Sequence, residues 1–114
     1  MSFQEFWPFY CREHSRPLTR RLHLAGSLLG PAVAAALFLA TRKWTALLAY
    51  PVISYGLAWG SHFLVEKNRP ATFRYPFLSL AADYLMVVKM ISGRMGSELE
   101  RAGVASAAAA PTRP

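Results

Sequence analysis

Two long apolar runs occupy the middle of the chain. Residues 22–40 and 44–65 contain no Asp, Glu, Lys or Arg. A helix rises about 1.5 Å per residue, so each run is long enough to cross a hydrocarbon core of roughly 30 Å. Only the short polar stretch 41–43 separates them. The pattern therefore predicts an antiparallel hairpin of two transmembrane helices.

The segment that precedes the hairpin, residues 1–13, mixes aromatic and charged residues. This mixture is typical of a helix that lies at a bilayer surface, where Phe6, Trp7, Phe9 and Tyr10 would be its anchors. A short helix packed against the rest of the protein is the alternative. Both interpretations fit the pattern.

A third stretch, residues 75–91, has helical spacing. Phe77, Tyr84 and Val88 recur on one face, while Asp83 lies on another. The stretch fits an amphipathic helix at the membrane interface. It also fits a shorter membrane helix that hides Asp83 inside a bundle, because an exposed carboxylate is costly in lipid.

The C-terminal segment, residues 96–114, loses this period and becomes rich in alanine. We expect it to be a disordered tail. The remaining residues, 1–95, form a single domain. The expected fold class is an all-α integral membrane protein, in which an N-terminal interfacial helix precedes the hairpin and a third amphipathic or membrane helix follows it.

Charge supports the membrane interpretation and sets its orientation. The composition is 54% hydrophobic with a net charge of +7. Basic residues flank the hairpin, whereas its bend has only Arg42 and Lys43; the flanking set is Arg12, Arg16, Arg20, Arg21, Lys67, Arg69 and Arg74. The positive-inside rule places both termini in the cytoplasm, at the inner (plasma) membrane if the protein is bacterial. The expected partners are anionic lipids and no nucleic acid.

Each apolar run contains two glycines at four-residue spacing, Gly26 with Gly30 and Gly56 with Gly60. Small residues at this spacing allow helices to approach closely. Within the hairpin, Gly60 would lie at the depth of Gly26, which would make the histidines at positions 23 and 62 neighbours. Alternatively, the four glycines face other subunits and form a homo-oligomer.

The chain has three histidines, and its topology can bring them together. On one continuous helix, His14 and His23 would lie on opposite faces. Pro17 favours a new helix start, with Ser15 as a plausible cap, so that His14 is free to point back toward His23. The hairpin then brings His62 to the same end.

The histidine end also collects carboxylates. Glu66 lies four residues after His62 and would share its face on a helix, and Glu13 and Asp83 are expected on the same side of the membrane. Imidazole and carboxylate ligands suit a non-haem Fe(II) site, and zinc accepts the same ligand types.

The basic residues at this end have two interpretations. They set the topology and contact lipid phosphates. Alternatively, one of Arg21, Arg69 and Arg74 binds a fatty carboxylate through paired hydrogen bonds.

The order of these residues resembles a known membrane-protein family. Phe9-Tyr10-x3-His14-x8-His23, then a hairpin, then His62-x3-Glu66-x2-Arg69-Pro70-Ala71 is similar to the family of the fungal 2-hydroxy fatty acid dioxygenase, over about residues 3–92. The resemblance implies Fe(II)-dependent removal of one carbon from a 2-hydroxy fatty acid. It also implies that His14, His23 and His62 are metal ligands, with Glu66 as a fourth ligand or an orienting partner.

Two functions from different classes follow. The first is a membrane-bound dioxygenase that acts on 2-hydroxy fatty acids or related lipids. The alternative is a small membrane protein without enzymatic activity, which oligomerises or assists a partner and binds lipid head groups.

Overall fold

The computed structural model describes residues 1–104, which fold into five α-helices without a strand. An all-α fold is therefore confirmed for this part of the chain. The α-helices are α1 (Phe3–Glu13), α2 (Pro17–Thr41), α3 (Ala49–Ser61), α4 (Pro76–Ile91) and α5 (Met95–Arg101). Shorter helical pieces connect them: the 3₁₀ segments Trp44–Leu48 and Ala71–Phe73, and the π-helical turn His62–Glu66.

Helix α2 is the longest element and begins where proline fits best. Pro17 occupies its first turn, where a backbone N–H would lack an intrahelical partner. The helix continues through Pro31 and ends at Arg42, which adopts the left-handed conformation. In residues 1–104, α2 is the one helix long and apolar enough to cross a membrane.

The second apolar run does not form one membrane-length α-helix, so a membrane-spanning hairpin is not confirmed. It divides into Trp44–Leu48, α3 and the π-helical turn. Pro51, which has no N–H to donate, lies in the first turn of α3, where proline is tolerated. With 13 residues, α3 is about 20 Å long, which is shorter than a hydrocarbon core.

Helices α2 and α3 pack antiparallel through two glycines of α2. A Cβ on Gly26 would lie 3.0 Å from the Ser54 carbonyl oxygen, and one on Gly30 would lie 3.0 Å from the Tyr50 carbonyl oxygen. The Ser54 hydroxyl also donates to the Gly26 carbonyl at 2.7 Å. The small residues therefore allow α3 to approach the α2 backbone directly.

The predicted pairing of Gly60 with Gly26 was wrong. Ser54 and Leu57 occupy the space beside Gly26, while a Cβ on Gly56 or Gly60 would meet no atom within 4 Å. Homo-oligomerisation through the four glycines stays a prediction, in which Gly56 and Gly60 offer an open face.

Helix α1 packs inside the protein, which matches the second of the two interpretations of residues 1–13. The side chains of Phe6 and Tyr10 are 0% and 1% exposed, so they are not membrane anchors. They pack in a cluster of buried residues from α1, α4 and α5 and the segments next to them. A capping box between Ser2 and Glu5 starts the helix.

Helix α4 lies where the third helix was predicted and turns its apolar face outward. Its buried residues are Ser79, Ala82, Met86 and Val87. Its large exposed apolar residues are Phe77, Leu80, Tyr84, Val88 and Ile91. Leu80 and Tyr84 border a cavity between α2, α3 and α4, while Phe77, Val88 and Ile91 are 60–86% exposed within residues 1–104.

A short helix, α5, occupies the start of the predicted tail, so the prediction that disorder begins at residue 96 was wrong. Leu99 is buried in the core, and Glu98 accepts a hydrogen bond from the Trp7 indole at 2.8 Å. Glu98 also pairs with Lys89 and Arg101. The alanine-rich residues 105–114 lie outside the described residues.

Candidate metal centre

The three histidines meet at the end of the helical pair opposite its bend. His14 caps the C-terminus of α1, His23 lies in the second turn of α2 and His62 begins the π-helical turn. Their exposed fractions are 1%, 4% and 2%. The His14 Nε2 atom lies 3.1 Å from His23 Nε2 and 3.0 Å from His62 Nε2. The convergence of the three imidazoles predicted from the topology is confirmed.

The contacts of each imidazole determine its tautomer. His14 Nδ1 faces the Tyr10 carbonyl oxygen at 2.7 Å, and His23 Nδ1 faces the Thr19 carbonyl oxygen at 2.9 Å. Carbonyl oxygens only accept, so both Nδ1 atoms donate. In the neutral rings the Nε2 atoms then hold the lone pairs.

His62 follows the same rule through an amide. Its Nδ1 atom lies 2.7 Å from Asn68 Oδ1, while Asn68 Nδ2 donates to the Glu13 carbonyl oxygen at 3.1 Å. The Glu13 carbonyl requires the amide nitrogen on its side, which leaves Oδ1 as the acceptor for His62. All three Nδ1 atoms are therefore donors.

The Nε2 lone pairs of His23 and His62 lie close to that of His14, and a bound cation would stabilise this arrangement. Two Nε2 acceptors at about 3 Å without a proton between them repel each other. Protonation does not relieve this easily, because burial, followed by the neighbouring His23 and His62, lowers the pKa of His14 well below its usual value. A divalent metal ion would accept all three lone pairs at once.

The separations of the nitrogen atoms are short enough for one ion. With metal–nitrogen bonds of about 2.1 Å, neighbouring ligand atoms lie about 3.0–3.4 Å apart. His14 Nε2 lies 3.1 Å from His23 Nε2 and 3.0 Å from His62 Nε2, and the three ligand atoms all lie within 4.8 Å of one another. Three protein ligands would leave coordination positions of a metal ion open to other molecules.

Glu66 does not lie with the histidines as a ligand. The group of side chains able to share one ion in residues 1–104 consists of His14, His23 and His62. Glu66 accepts hydrogen bonds from the Ser15 hydroxyl at 2.9 Å and the Arg16 backbone N–H at 2.6 Å.

The π-helical turn explains this placement. An α-helix would have put Glu66 on the His62 face, but here the hydrogen bonds span five residues, which rotates Glu66 relative to His62. Its carboxylate caps the start of α2, a role the sequence had suggested for Ser15. Glu66 thus fixes the chain between two of the histidines.

Asn68 is the site residue that sequence analysis missed. It holds His62 and connects the segment after the π-helical turn to the end of α1. An asparagine after a helix end is usually a turn residue, so its position alone gives no sign of a link to a histidine. Ser61 was also missed: its hydroxyl lies 3.2 Å from His23 Nδ1.

An apolar cavity of about 340 Å³ adjoins the histidines. It lies between α2, α3 and α4, and its wall includes His23 and Asp83 together with mostly apolar surface. Its other lining residues are Ser27, Tyr50, Pro51, Ser54, Tyr55, Ala58, Leu80 and Tyr84. The cavity could therefore accept an apolar group next to His23.

The three predicted carboxylate-binding arginines do not form one cluster. Arg69 and Arg74 line a second cavity of about 660 Å³, beside Glu13 and Tyr75. Arg21 is exposed on α2 and lines neither cavity. Binding of a carboxylate or phosphate by Arg69 and Arg74 stays a proposal.

Comparison with known proteins agrees with this geometry. The family model described as 2-hydroxy-palmitic acid dioxygenase Mpo1-like matches residues 1–95, a range that includes all three histidines and Asn68. Searches of curated proteins and of solved structures found no match. The chain belongs to the family described as 2-hydroxy-palmitic acid dioxygenase Mpo1-like.

Proposed function

We propose that this protein is a membrane-embedded, Fe(II)-dependent dioxygenase that acts on 2-hydroxy fatty acids or related lipids. The observation that supports this most strongly is the triad of buried imidazoles with all three Nδ1 atoms donating and their Nε2 atoms close together. This arrangement is unfavourable without a cation. The family match supplies the reaction class.

His14, His23 and His62 would hold the metal, which supplies oxygen activation when bound. Three neutral imidazoles that leave coordination positions open would suit iron, and zinc accepts the same ligands. The carbonyls of Tyr10 and Thr19 and the amide of Asn68 would keep the rings oriented throughout turnover. The apolar cavity beside His23 would bind the acyl chain and exclude water from it.

The proposed membrane location has support from sequence and surface. Helix α2 has the length and composition of a membrane helix. Large apolar side chains on three helices are exposed in residues 1–104, among them Leu39, Val52 and Phe77. In water such a surface would promote aggregation, whereas lipid would cover it.

The proposed topology puts both termini and the histidines at the cytoplasmic interface. Arg69 and Arg74 would bind lipid phosphates or a fatty carboxylate at this end. A fatty acid could then enter from the membrane with its polar end facing the interface.

Metal analysis combined with an assay tests the proposal. Purified protein should contain about one iron per chain and consume oxygen with 2-hydroxypalmitic acid, yielding an acid one carbon shorter. His62→Ala should lose both iron and activity, because two imidazoles cannot hold the ion as three do. Lys43→Ala, at the opposite end of the helical pair, is the matched control and should retain both.

Two outcomes would contradict the proposal. A folded protein that binds no metal after reconstitution with Fe(II), and that leaves 2-hydroxypalmitic acid unchanged, would favour the non-enzymatic membrane protein. Zinc retained at the same stoichiometry, with no oxygen consumption after replacement by iron, would also contradict the dioxygenase.

A further inference from the structure

Asp83 is a carboxylate on the wall of the apolar cavity, and within residues 1–104 it forms no ion pair. In the described part of the protein, its one hydrogen bond comes from the Tyr10 hydroxyl. Glu98 differs, since it accepts from Trp7 and pairs with Lys89 and Arg101. The contrast shows that Asp83 retains acceptor capacity that the fold does not use.

Tyr10 fixes the position of Asp83 relative to the histidines. The Tyr10 ring stacks on the His14 ring with 3.9 Å between centroids, and the Tyr10 carbonyl accepts from His14 Nδ1. Asp83 shares the cavity wall with His23. The carboxylate is thus held beside the place where a ligand chain would approach the metal-binding imidazoles.

The charge of Asp83 limits which part of a ligand it can face. The ionised carboxylate of a fatty acid has no hydrogen-bond donor, so it cannot donate to Asp83. A hydroxyl group instead donates a hydrogen bond, and a bond to a charged acceptor is stronger than one between neutral groups. Asp83 therefore suits the hydroxyl of a hydroxylated chain.

We propose that Asp83 accepts a hydrogen bond from the 2-hydroxyl group of the substrate and makes the site prefer a hydroxylated fatty acid over a plain one. This rests on the proposed function for the identity of the ligand. Tyr10 is a positioning residue, because it orients Asp83 through its own hydroxyl.

Equilibrium binding tests the preference independently of catalysis. The full chain with its metal, in lipid nanodiscs and without oxygen, is titrated with 2-hydroxypalmitic acid and with palmitic acid. The wild-type protein should bind the hydroxy acid about ten- to a hundredfold more tightly, the ratio expected for one hydrogen bond to a charged acceptor. Asp83→Leu should reduce this ratio to about one.

Two further variants separate ligand recognition from a structural role. Asp83→Asn retains an oxygen acceptor and should keep part of the preference. Tyr10→Phe removes the bond to Asp83 but leaves the carboxylate, so it should keep a preference above that of Asp83→Leu. Circular dichroism and metal content confirm that each variant is folded.

The proposal is wrong if Asp83→Leu retains the wild-type ratio. That result would make Asp83 a partner of Tyr10 alone. A protein that shows the expected ratios but never consumes oxygen would contradict the dioxygenase function and leave the binding inference intact.

Discussion

Among single residues, Asn68 offers a direct test of how the site holds its metal. Asn68→Ala removes the acceptor of the His62 Nδ1 hydrogen bond at 2.7 Å. Since such supporting bonds fix the tautomer and the ring orientation, we expect metal affinity to fall about 10- to 100-fold. Competition with a metal chelator measures the change.

The control for this prediction is Asn68→Asp, which keeps an oxygen for His62 and loses only the donor to the Glu13 carbonyl. It should retain more affinity than Asn68→Ala. Equal affinity in the alanine variant and the wild-type protein would show that Asn68 does not support His62.

A second residue-scale prediction concerns the pH dependence of the metal-free protein. Burial lowers the pKa of His14, while a histidine in the unfolded chain titrates near about 6.5. Below that pH the unfolded state binds more protons than the folded state, so the free energy of unfolding falls as the pH decreases. The expected slope from this group is at most about 1.4 kcal/mol per pH unit.

Urea unfolding of chelator-treated protein between pH 8 and pH 5 measures this slope. The matched variant is His14→Gln, which stays neutral throughout and should show a shallower dependence. If both proteins lose stability equally on acidification, other groups account for the effect and the prediction is wrong.

The histidines and their supporting residues differ in how far the sequence could predict them. His14, His23 and His62 follow from topology, because Pro17 ends one helix before the next begins and the chain then folds back. Glu66 was misplaced, because spacing on an α-helix cannot anticipate a π-helical turn. Asn68 was missed because its partner depends on that same turn.

At the scale of helices, Gly26 and Gly30 of α2 allow α2 and α3 to pack closely. Gly26→Ala would press a methyl group against the Ser54 backbone at 3.0 and 3.2 Å, so α3 would have to move away. We expect a loss of about 1–3 kcal/mol, which is typical of overpacking. Thermal or denaturant unfolding in micelles measures it.

The same substitution at Gly56 is the internal control. A Cβ there meets no atom within 4 Å, and alanine favours helix over glycine by about 1 kcal/mol. Gly56→Ala should therefore keep or raise stability. A loss at position 56 as large as at position 26 would contradict close packing through Gly26.

Helix limits were predictable where a local signal sets them. Pro17 and Pro76 mark the starts of α2 and α4, since proline suits the first turn of a helix. Helix α5 was not predicted, because its stability depends on distant contacts such as the hydrogen bond from Trp7 to Glu98. The composition of residues 96–114 gives no information on such contacts.

For the whole molecule, the polar chemistry lies inside one end and apolar side chains lie outside. Buried imidazoles occupy the end opposite the bend, while Leu39, Val52 and Val88 are exposed along the helices. Exposed apolar patches mark contact sites for other proteins or for membranes. Under the proposed membrane location, lipid would cover these side chains.

Orientation in the membrane can be tested by labelling introduced cysteines, because the chain's own Cys11 should not react. Cys11 is 0% exposed and burial raises the pKa of its thiol to about 12, so it should not react with maleimide in the folded protein. Lys43→Cys at the bend and Lys67→Cys near the histidines provide two exposed positions. Helix α2, about 37 Å long, would place them on opposite sides of a bilayer.

With a maleimide that cannot cross membranes, Lys43→Cys should react in intact cells, and Lys67→Cys should react only after permeabilisation. This result would place the histidine end in the cytoplasm, because the bend alone would face outward. Reaction of both positions in intact cells, or of neither before permeabilisation, would mean that α2 does not cross the membrane. The reverse labelling would keep the crossing but place the basic end outside, against the charge distribution.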